Sequence, residues 1–468
     1  MSGTIEMPKL KPVYFERRGR PLSEPRQNRI SNRENNKLQT QDRAVHQWYR
    51  FVLSFPPHLV RDYITKFGLN EQHIVLDPFC GTGTTLVECK KLGIPSFGLE
   101  SNPVVYFASQ TKLRWDVAPR KLLEHALKVA ATATRALEDQ GLGESEQQRL
   151  LEEPVKPKIK LKALPKECAD LLLSDSISTL PLHKTLVLLD ALAHHQDPRF
   201  IDHERLALAD ALVNSISNLH FGPEVGIGPA KPDAPVISLW LDGIRAMVQD
   251  LENLPAEETT TATVLCADAR EVASILPPDS IDAVITSPPY PNEKDYTRTT
   301  RLESVLLGFI RSKQELRDLK KRLIRSNTRG VYKTDTDDHL VAGHAEIQRI
   351  AAAIERRRIE LNKDSGFERL YARVTRLYFG GMAKHLAELR RVLRPNAQLA
   401  YVVGDQASYL RVMIRTGQLL SDLATSLGYE VTGTDLFRTR LSTATREQLR
   451  EEVILLRWPG PKNNHCRK

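Results

Sequence analysis

The chain has 468 residues, 5 cysteines, 41% hydrophobic residues and a formal net charge of +9. That length exceeds one ordinary domain and can bury a large core, and with no run of about 18 apolar residues a membrane-spanning helix is not expected. Cys80, Cys89, Cys168, Cys266 and Cys466 are scattered without a CxxC pair. They argue against a disulfide framework or a zinc site and, with no apolar leader between Met1 and Arg20, for a reducing cytoplasmic setting; the positive charge permits a polyanionic partner without requiring one.

Residues 1–43 are polar and Arg-rich and read as a basic flexible arm. Residues 44–70 read as two short helices broken at Pro56-Pro57, the second stopped near Gly68 and Asn70. Ile74 to Leu76 is a short buried strand, Asp77 to Thr84 a turn, Thr85 to Leu92 a helix ended by Gly93, and Ser96 to Leu99 a second apolar strand. A strand–helix–strand unit of this kind calls for a parallel sheet. Residues 117–260 are helical in pattern, broken by the stretches EEPVKPKIKLKALP and GPEVGIGPAKPDAP, as an inserted helical subdomain would be. Strand rhythm returns at Val264 to Cys266 and Ile281 to Thr286. Residues 298–390 are again helical and charged, and from Arg311 to Lys333 nine Lys/Arg stand against two Asp/Glu. That run is either a solvated helix face or a nucleic-acid contact. Gln398 to Val403 reads as a strand, Leu410 to Leu427 as a helix, and Thr434 to Arg440 and Glu452 to Trp458 as two closing strands. Together these predict an α/β fold, a doubly wound sheet with a final antiparallel element and large helical insertions. The catalytic domain is expected over 44–116 and 261–468, with a helical insertion at 117–260 and a second, basic one at 298–390.

The first chemical constellation is Asp77-Pro78-Phe79-Cys80-Gly81-Thr82-Gly83-Thr84. Glycines at 81 and 83 let the backbone turn sharply and approach a ligand, at the strand-to-helix junction where open α/β sheets bind ligands. Glu100 ends the next strand (GLESN), where a carboxylate can accept hydrogen bonds from both hydroxyls of a ribose. A GxG alone reads as a tight turn; the acidic strand end that follows favours a nucleoside. Leu86 stands where a dinucleotide fingerprint needs its third glycine, and no GK[ST] follows for a P-loop.

The second constellation is Thr286-Ser287-Pro288-Pro289-Tyr290, at a strand end. The prolines fix φ and remove two backbone donors but keep their carbonyl acceptors. Ser287 adds a hydroxyl, and Tyr290 an aromatic face on which a base can stack. The plainer alternative is a Pro-Pro turn beside a structural tyrosine. Asp295, Tyr296 and Arg298 follow closely, either lining the base path or starting the next helix with Asp295 as its cap. Trp48 and Tyr49 either pack over the cofactor or belong to the core, and His194-His195 lacks metal-ligand spacing, so no metal site is expected.

DPFCGTGT is similar to the cofactor loop of the DNA amino-methyltransferases, and TSPPY resembles their catalytic tetrapeptide, [DNS]PP[YFW]. Phe55-Pro56-Pro57 resembles the segment that covers the methionine part of the cofactor, Leu265-Cys266-Ala267-Asp268-Ala269 the strand whose acidic residue meets the adenine amino group, and Leu393 to Asp405 the fifth strand. The resemblance covers about half the chain and implies a Rossmann-like class I methyltransferase sheet with S-adenosyl-L-methionine as cofactor. It implies a cofactor site of Asp77, Phe79, Gly81, Gly83, Thr84, Glu100, Asn102, Asp268 and Ala269, and a catalytic set of Ser287, Pro288, Pro289 and Tyr290. In that family the serine form goes mostly with cytosine N4 and the DPPY or NPPY forms mostly with adenine N6. Cytosine C5 chemistry needs a Pro-Cys pair, which this chain does not have.

The implied partner is double-stranded DNA with its target base flipped out, alongside a cognate restriction endonuclease acting on the same site; no membrane partner is expected. Here the cofactor loop precedes the catalytic motif by about 200 residues, the reverse of the order in many N4 enzymes with a DPFxGxGT loop. That order puts the target-recognition region at 117–260, with the basic run at 311–333 and Arg356 to Arg358 as the competing location. Adenine N6 methylation, an RNA methyltransferase and a DNA-binding module on an inactive methyltransferase fold remain as alternatives.

Overall fold

The computed structural model describes residues 38–49, 54–143, 160–222, 224–254, 260–292, 294–441 and 448–461. The arm expected at 1–43 lies outside them up to residue 37, as does Cys466. The described chain forms two compact units, one of residues 38–269 and 295–323, the other built from 270–294 and 324–468.

In the first unit, helix α1 (Pro57–Phe67) opens with a proline where no backbone donor is needed and closes at Gly68, whose φ of 65° supplies the left-handed cap. Strand β1 (Val75–Asp77), helix α2 (Thr84–Lys91), strand β2 (Ser96–Leu99) and helix α3 (Pro103–Lys112) follow. All three residues of β1 are buried, and an apolar run without alternation suits a strand covered on both faces. Four long helices come next: α4 (Pro119–Glu138), α5 (Thr179–His194), α6 (Ile201–Ala211) and α7 (Val236–Asn253). A small antiparallel hairpin, β3 (Leu219–Phe221) with β4 (Val225–Ile227), interrupts them. The buried residues of α4 include Leu122, Ala126, Val129, Ala133 and Leu137, an apolar stripe at helical spacing. That stripe shares one hydrophobic cluster with Leu86 and Val87 of α2, Phe107 of α3, Leu188, Leu206 and Trp240. Helices α4 to α7 therefore share one core with α2 and α3, the helices that flank the loop-bearing strands. Strand β5 (Ala262–Leu265) returns to lie parallel to β2, which lies parallel to β1. Helices α8 (Arg301–Leu306) and α9 (Lys313–Arg322) complete the unit.

In the second unit, β6 (Ile281–Thr286) runs parallel to β7 (Leu393–Gly404). The last two strands, β8 (Glu430–Leu441) and β9 (Gln448–Trp458), pair with each other, and β9 also pairs antiparallel with β7. Helices α10 (Ala345–Glu360), α11 (Tyr371–Leu389) and α12 (Thr416–Ser426) flank them. Parallel strands connected through helices in each unit, with an antiparallel pair closing the second and helical insertions enlarging the chain, give the expected Rossmann-like α/β fold.

One element is corrected. The helix expected from Leu410 begins only at Thr416. Leu410 and Arg411 adopt φ of 53° and 64°, and Gln406 bridges to Ile414. Tyr409, Val412 and Ile414 are buried in this loop, so their apolar spacing reports a folded turn packed on the core.

Candidate active site

The Asp77–Thr84 loop is shaped by its own first residue. Asp77 is fully buried; one carboxylate oxygen accepts the Phe79 backbone N–H at 3.1 Å and the other the Thr85 hydroxyl at 2.7 Å. The Cys80 N–H donates to the Leu99 carbonyl at 3.1 Å, which ties the loop to the end of β2. Gly81 and Gly83 have φ of 54° and 85°, values that favour glycine. A Cβ at Gly83 would stand 2.5 Å from Ser109 Oγ on α3, whereas one at Gly81 would meet nothing within 4 Å. The back of the loop is packed and its front is open.

Glu100 faces that loop. Its carboxylate accepts the Asn102 backbone N–H at 2.7 Å and hydrogen bonds from the Gly81 and Ser101 backbones. Burial outweighs them and pushes its pKa up to about 7. Asn102 donates its side-chain amide to Thr300 Oγ1 at 3.1 Å, and its own Oδ1 is buried without a donor among the described residues. The strand ends are stitched together: Glu100 N–H donates to Leu265 O, and Ala267 N–H to Glu100 O, both at 3.1 Å. Buried Asp268 and Ala269 follow directly. The cofactor set read from the sequence is thus gathered at one rim of the first unit.

Phe55, Pro56 and Pro57 line a small cleft with Thr82 and Thr84, and with Ser54, His46 and Lys112, which sequence reading passed over. His46 is held neutral, burial dropping its pKa to about 4, with Nε2 2.7 Å from Glu88 Oε1. Burial alone would raise Glu88, but His46, Lys91 and Arg61 hold it down at about 2. The buried Lys112 ammonium donates to His46 O at 3.1 Å. Trp48 and Tyr49 are core residues, donating at 2.7 Å to Asp250 and at 2.6 Å to Glu303. These partners lie 202 and 254 positions away, so no local pattern announces them.

In the second unit, Ser287 sits at the end of β6 and donates its hydroxyl to the Val402 carbonyl of β7 at 3.2 Å. The Tyr290 ring lies against Gly404, where a Cβ would come within 3.1 Å of Tyr290 Cε2 and 3.2 Å of Glu451 Cγ. A glycine in β7 gives the ring its place. Asp295, in the first unit, caps the helical turn Tyr296–Thr299 through the Thr297 N–H at 3.0 Å and pairs with Lys320 at 2.9 Å. It is a capping and pairing group.

A sequence family described as DNA methylase matches residues 10–110, which include the whole glycine loop and Glu100. The chain is 25% identical over 421 residues to the type II methyltransferase M.BsoBI of Geobacillus stearothermophilus, spanning 83% of this chain and 79% of that protein. It is 22% identical over 456 residues to the type II methyltransferase M.AvaI of Nostoc sp., spanning 88% and 86%. These matches liken the chain to the DNA amino-methyltransferases. A shorter match of 78 residues, 16% of this chain and 14% of the relative, is 37% identical to the type II methyltransferase M.MjaII of Methanocaldococcus jannaschii.

The methyl donor of this methyltransferase is S-adenosyl-L-methionine, and the first unit has what a nucleoside needs. A carboxylate stands at the strand end, open space lies before Gly81, and a buried acceptor at Asn102 Oδ1 awaits a donor. Among the described residues no helix is long and apolar enough to cross a membrane.

Proposed function

We propose that this methyltransferase modifies the exocyclic N4 amino group of cytosine at a specific site in duplex DNA, in the cytoplasm, paired with a restriction endonuclease acting on the same site. The observation that carries the N4 reading is Ser287. Its proton is committed to the Val402 carbonyl, so what Oγ offers another group is lone pairs. The cytosine amino nitrogen is a poor nucleophile because its electrons are delocalised into the ring. Ser287 Oγ and the Pro288 carbonyl accept its hydrogens and stabilise the positive charge that develops on nitrogen. Pro289 fixes the turn, and Tyr290, braced on Gly404, stacks against a base flipped from the duplex. Bound S-adenosyl-L-methionine supplies an already activated methyl group, so the residues contribute mainly orientation.

On the cofactor side, Asp77, Phe79, Gly81, Gly83 and Thr84 form the loop, Glu100 and Asn102 take the ribose, and Asp268 and Ala269 the adenine. The deciding experiment is transfer of labelled methyl to DNA followed by nucleoside analysis. Labelled N4-methylcytosine is expected. N6-methyladenine would overturn the inference from Ser287, and label in RNA alone would overturn the substrate.

Glu100 makes cofactor binding pH-dependent. Its pKa of about 7 lies above the ordinary carboxylate range, so stability from its protonation is full at low pH and fades as pH rises through about 7. Ribose hydroxyls donate to the ionised form, so binding expels the proton. Affinity for S-adenosylhomocysteine is expected to rise from about pH 6 to about pH 7, by up to about tenfold per unit, and then level off. In Glu100→Gln the affinity drops and this dependence disappears. Calorimetric titration across that range checks it; a flat wild-type profile would remove Glu100 from the ribose site.

A further inference from the structure

We propose that α9 is the element that grips the DNA backbone, and that the larger insertion at 117–260 is not. The inference rests on DNA being the substrate.

Charge is unevenly divided along the chain. Residues 117–260 hold 15 Lys/Arg against 22 Asp/Glu, and residues 298–390 hold 21 against 12, in a chain of net +9. Binding a duplex means neutralising phosphates with cations, and an acidic helical layer is repelled by them. The long insertion also spends its apolar faces on the core it shares with α2 and α3.

Within the basic part, two runs stand out in the sequence, and their surroundings separate them. Arg357 and Arg358 on α10 are matched by Glu360 at 3.2 Å, Glu355 at 2.8 Å and Asp364 at 2.7 Å. On α9, Lys313, Arg317 and Lys321 stand four residues apart on one exposed face. Lys321 has Asp318 at 3.3 Å, and the charge of Arg317 is felt at the same carboxylate, but among the described residues neither Lys313 nor Arg317 is held in an ion pair. Both are exposed and can meet an anion.

The helix is held rigidly where a phosphate grip would be useful. Ser312 caps its start through the Glu315 N–H at 3.1 Å. Leu319 is buried with Leu171, Val305 and Ile310. Lys320 is paired to buried Asp295 at 2.9 Å. At its far end the Ser101 hydroxyl reaches both the Arg322 carbonyl at 3.4 Å and the Ala267 carbonyl at 2.8 Å. The helix therefore ends on the rim that carries Glu100 and Asp268, with its cationic face turned to solvent. Phosphate contacts on such a helix set the register of a duplex without reading its bases.

The test is the salt dependence of binding to a fluorescent random-sequence DNA duplex, for wild type, the double variant Lys313→Gln/Arg317→Gln, and a control Lys121→Gln/Lys128→Gln in α4. Loss of two phosphate contacts should make the slope of log affinity against log salt shallower by about 1.8, leaving thermal stability and affinity for S-adenosylhomocysteine unchanged. The control should keep the wild-type slope. A double variant with the wild-type slope, or a control that loses as much, would overturn the assignment to α9. Wild-type protein that binds no DNA duplex, or prefers RNA, would overturn the substrate reading and the inference with it.

Discussion

Replacing Ser287 by alanine is expected to lower the rate of methyl transfer about 100-fold, while affinity for S-adenosylhomocysteine stays at the wild-type value. The side chain is small, only partly buried, and donates to Val402 O at 3.2 Å, so the turn should survive its loss. What disappears is an acceptor for the amino hydrogens, an interaction that strengthens as positive charge develops on nitrogen. The effect should therefore fall on the single-turnover rate and not on affinity for DNA. Ser287→Asn supplies a carbonyl acceptor at the same place and should recover part of the rate. An alanine variant as fast as wild type would leave the Pro288 carbonyl as the acceptor and remove Ser287 from the chemistry.

Gly380→Ala is expected to cost the protein about 3 kcal/mol or more, beyond the usual range for an overpacked core. A Cβ there would lie 1.9 Å from the Asp337 carbonyl oxygen and 2.4 Å from its carbon. These are backbone atoms that cannot swing aside. Either α11 moves or the turn Asp337–Val341 opens, and that turn is fastened by Arg270 to Asp337 at 2.7 Å. The neighbouring position is a built-in control. At Gly381 the nearest atoms are 3.5 Å away, so Gly381→Ala should be neutral or stabilising, since alanine is favoured over glycine in a helix by about 1 kcal/mol. Thermal unfolding of the two variants side by side checks the contrast; equal melting temperatures would rule out the close approach at Gly380.

The parts of the chain legible in the sequence are those whose physics is local. Ser96 to Leu99 and Ile281 to Thr286 are strands with the expected bounds, because short apolar runs between turn residues admit little else. The glycine loop declares itself through Gly81 and Gly83, which adopt the positive φ that glycine permits. The supports behind that loop were not legible. His46 with Glu88 and Tyr49 with Glu303 are pairs 42 and 254 residues apart, and each member alone resembles an ordinary polar residue. The loop before α12 resembles a helix in sequence because buried apolar residues in an irregular turn repeat much as they would on a helix face. The two basic runs look alike in composition; only the carboxylates around Arg357 and Arg358 tell one from the other.

Because Leu86 and Val87 behind the glycine loop share one apolar cluster with Leu122, Leu188, Leu206 and Trp240, helices α4 to α7 are not a separable cassette. A chimera that replaced them with the corresponding stretch of a related enzyme would leave the helix behind the cofactor loop facing a mismatched surface. Close packing tolerates such mismatches poorly. Exchanging the four-helix layer would therefore disturb the glycine loop as well.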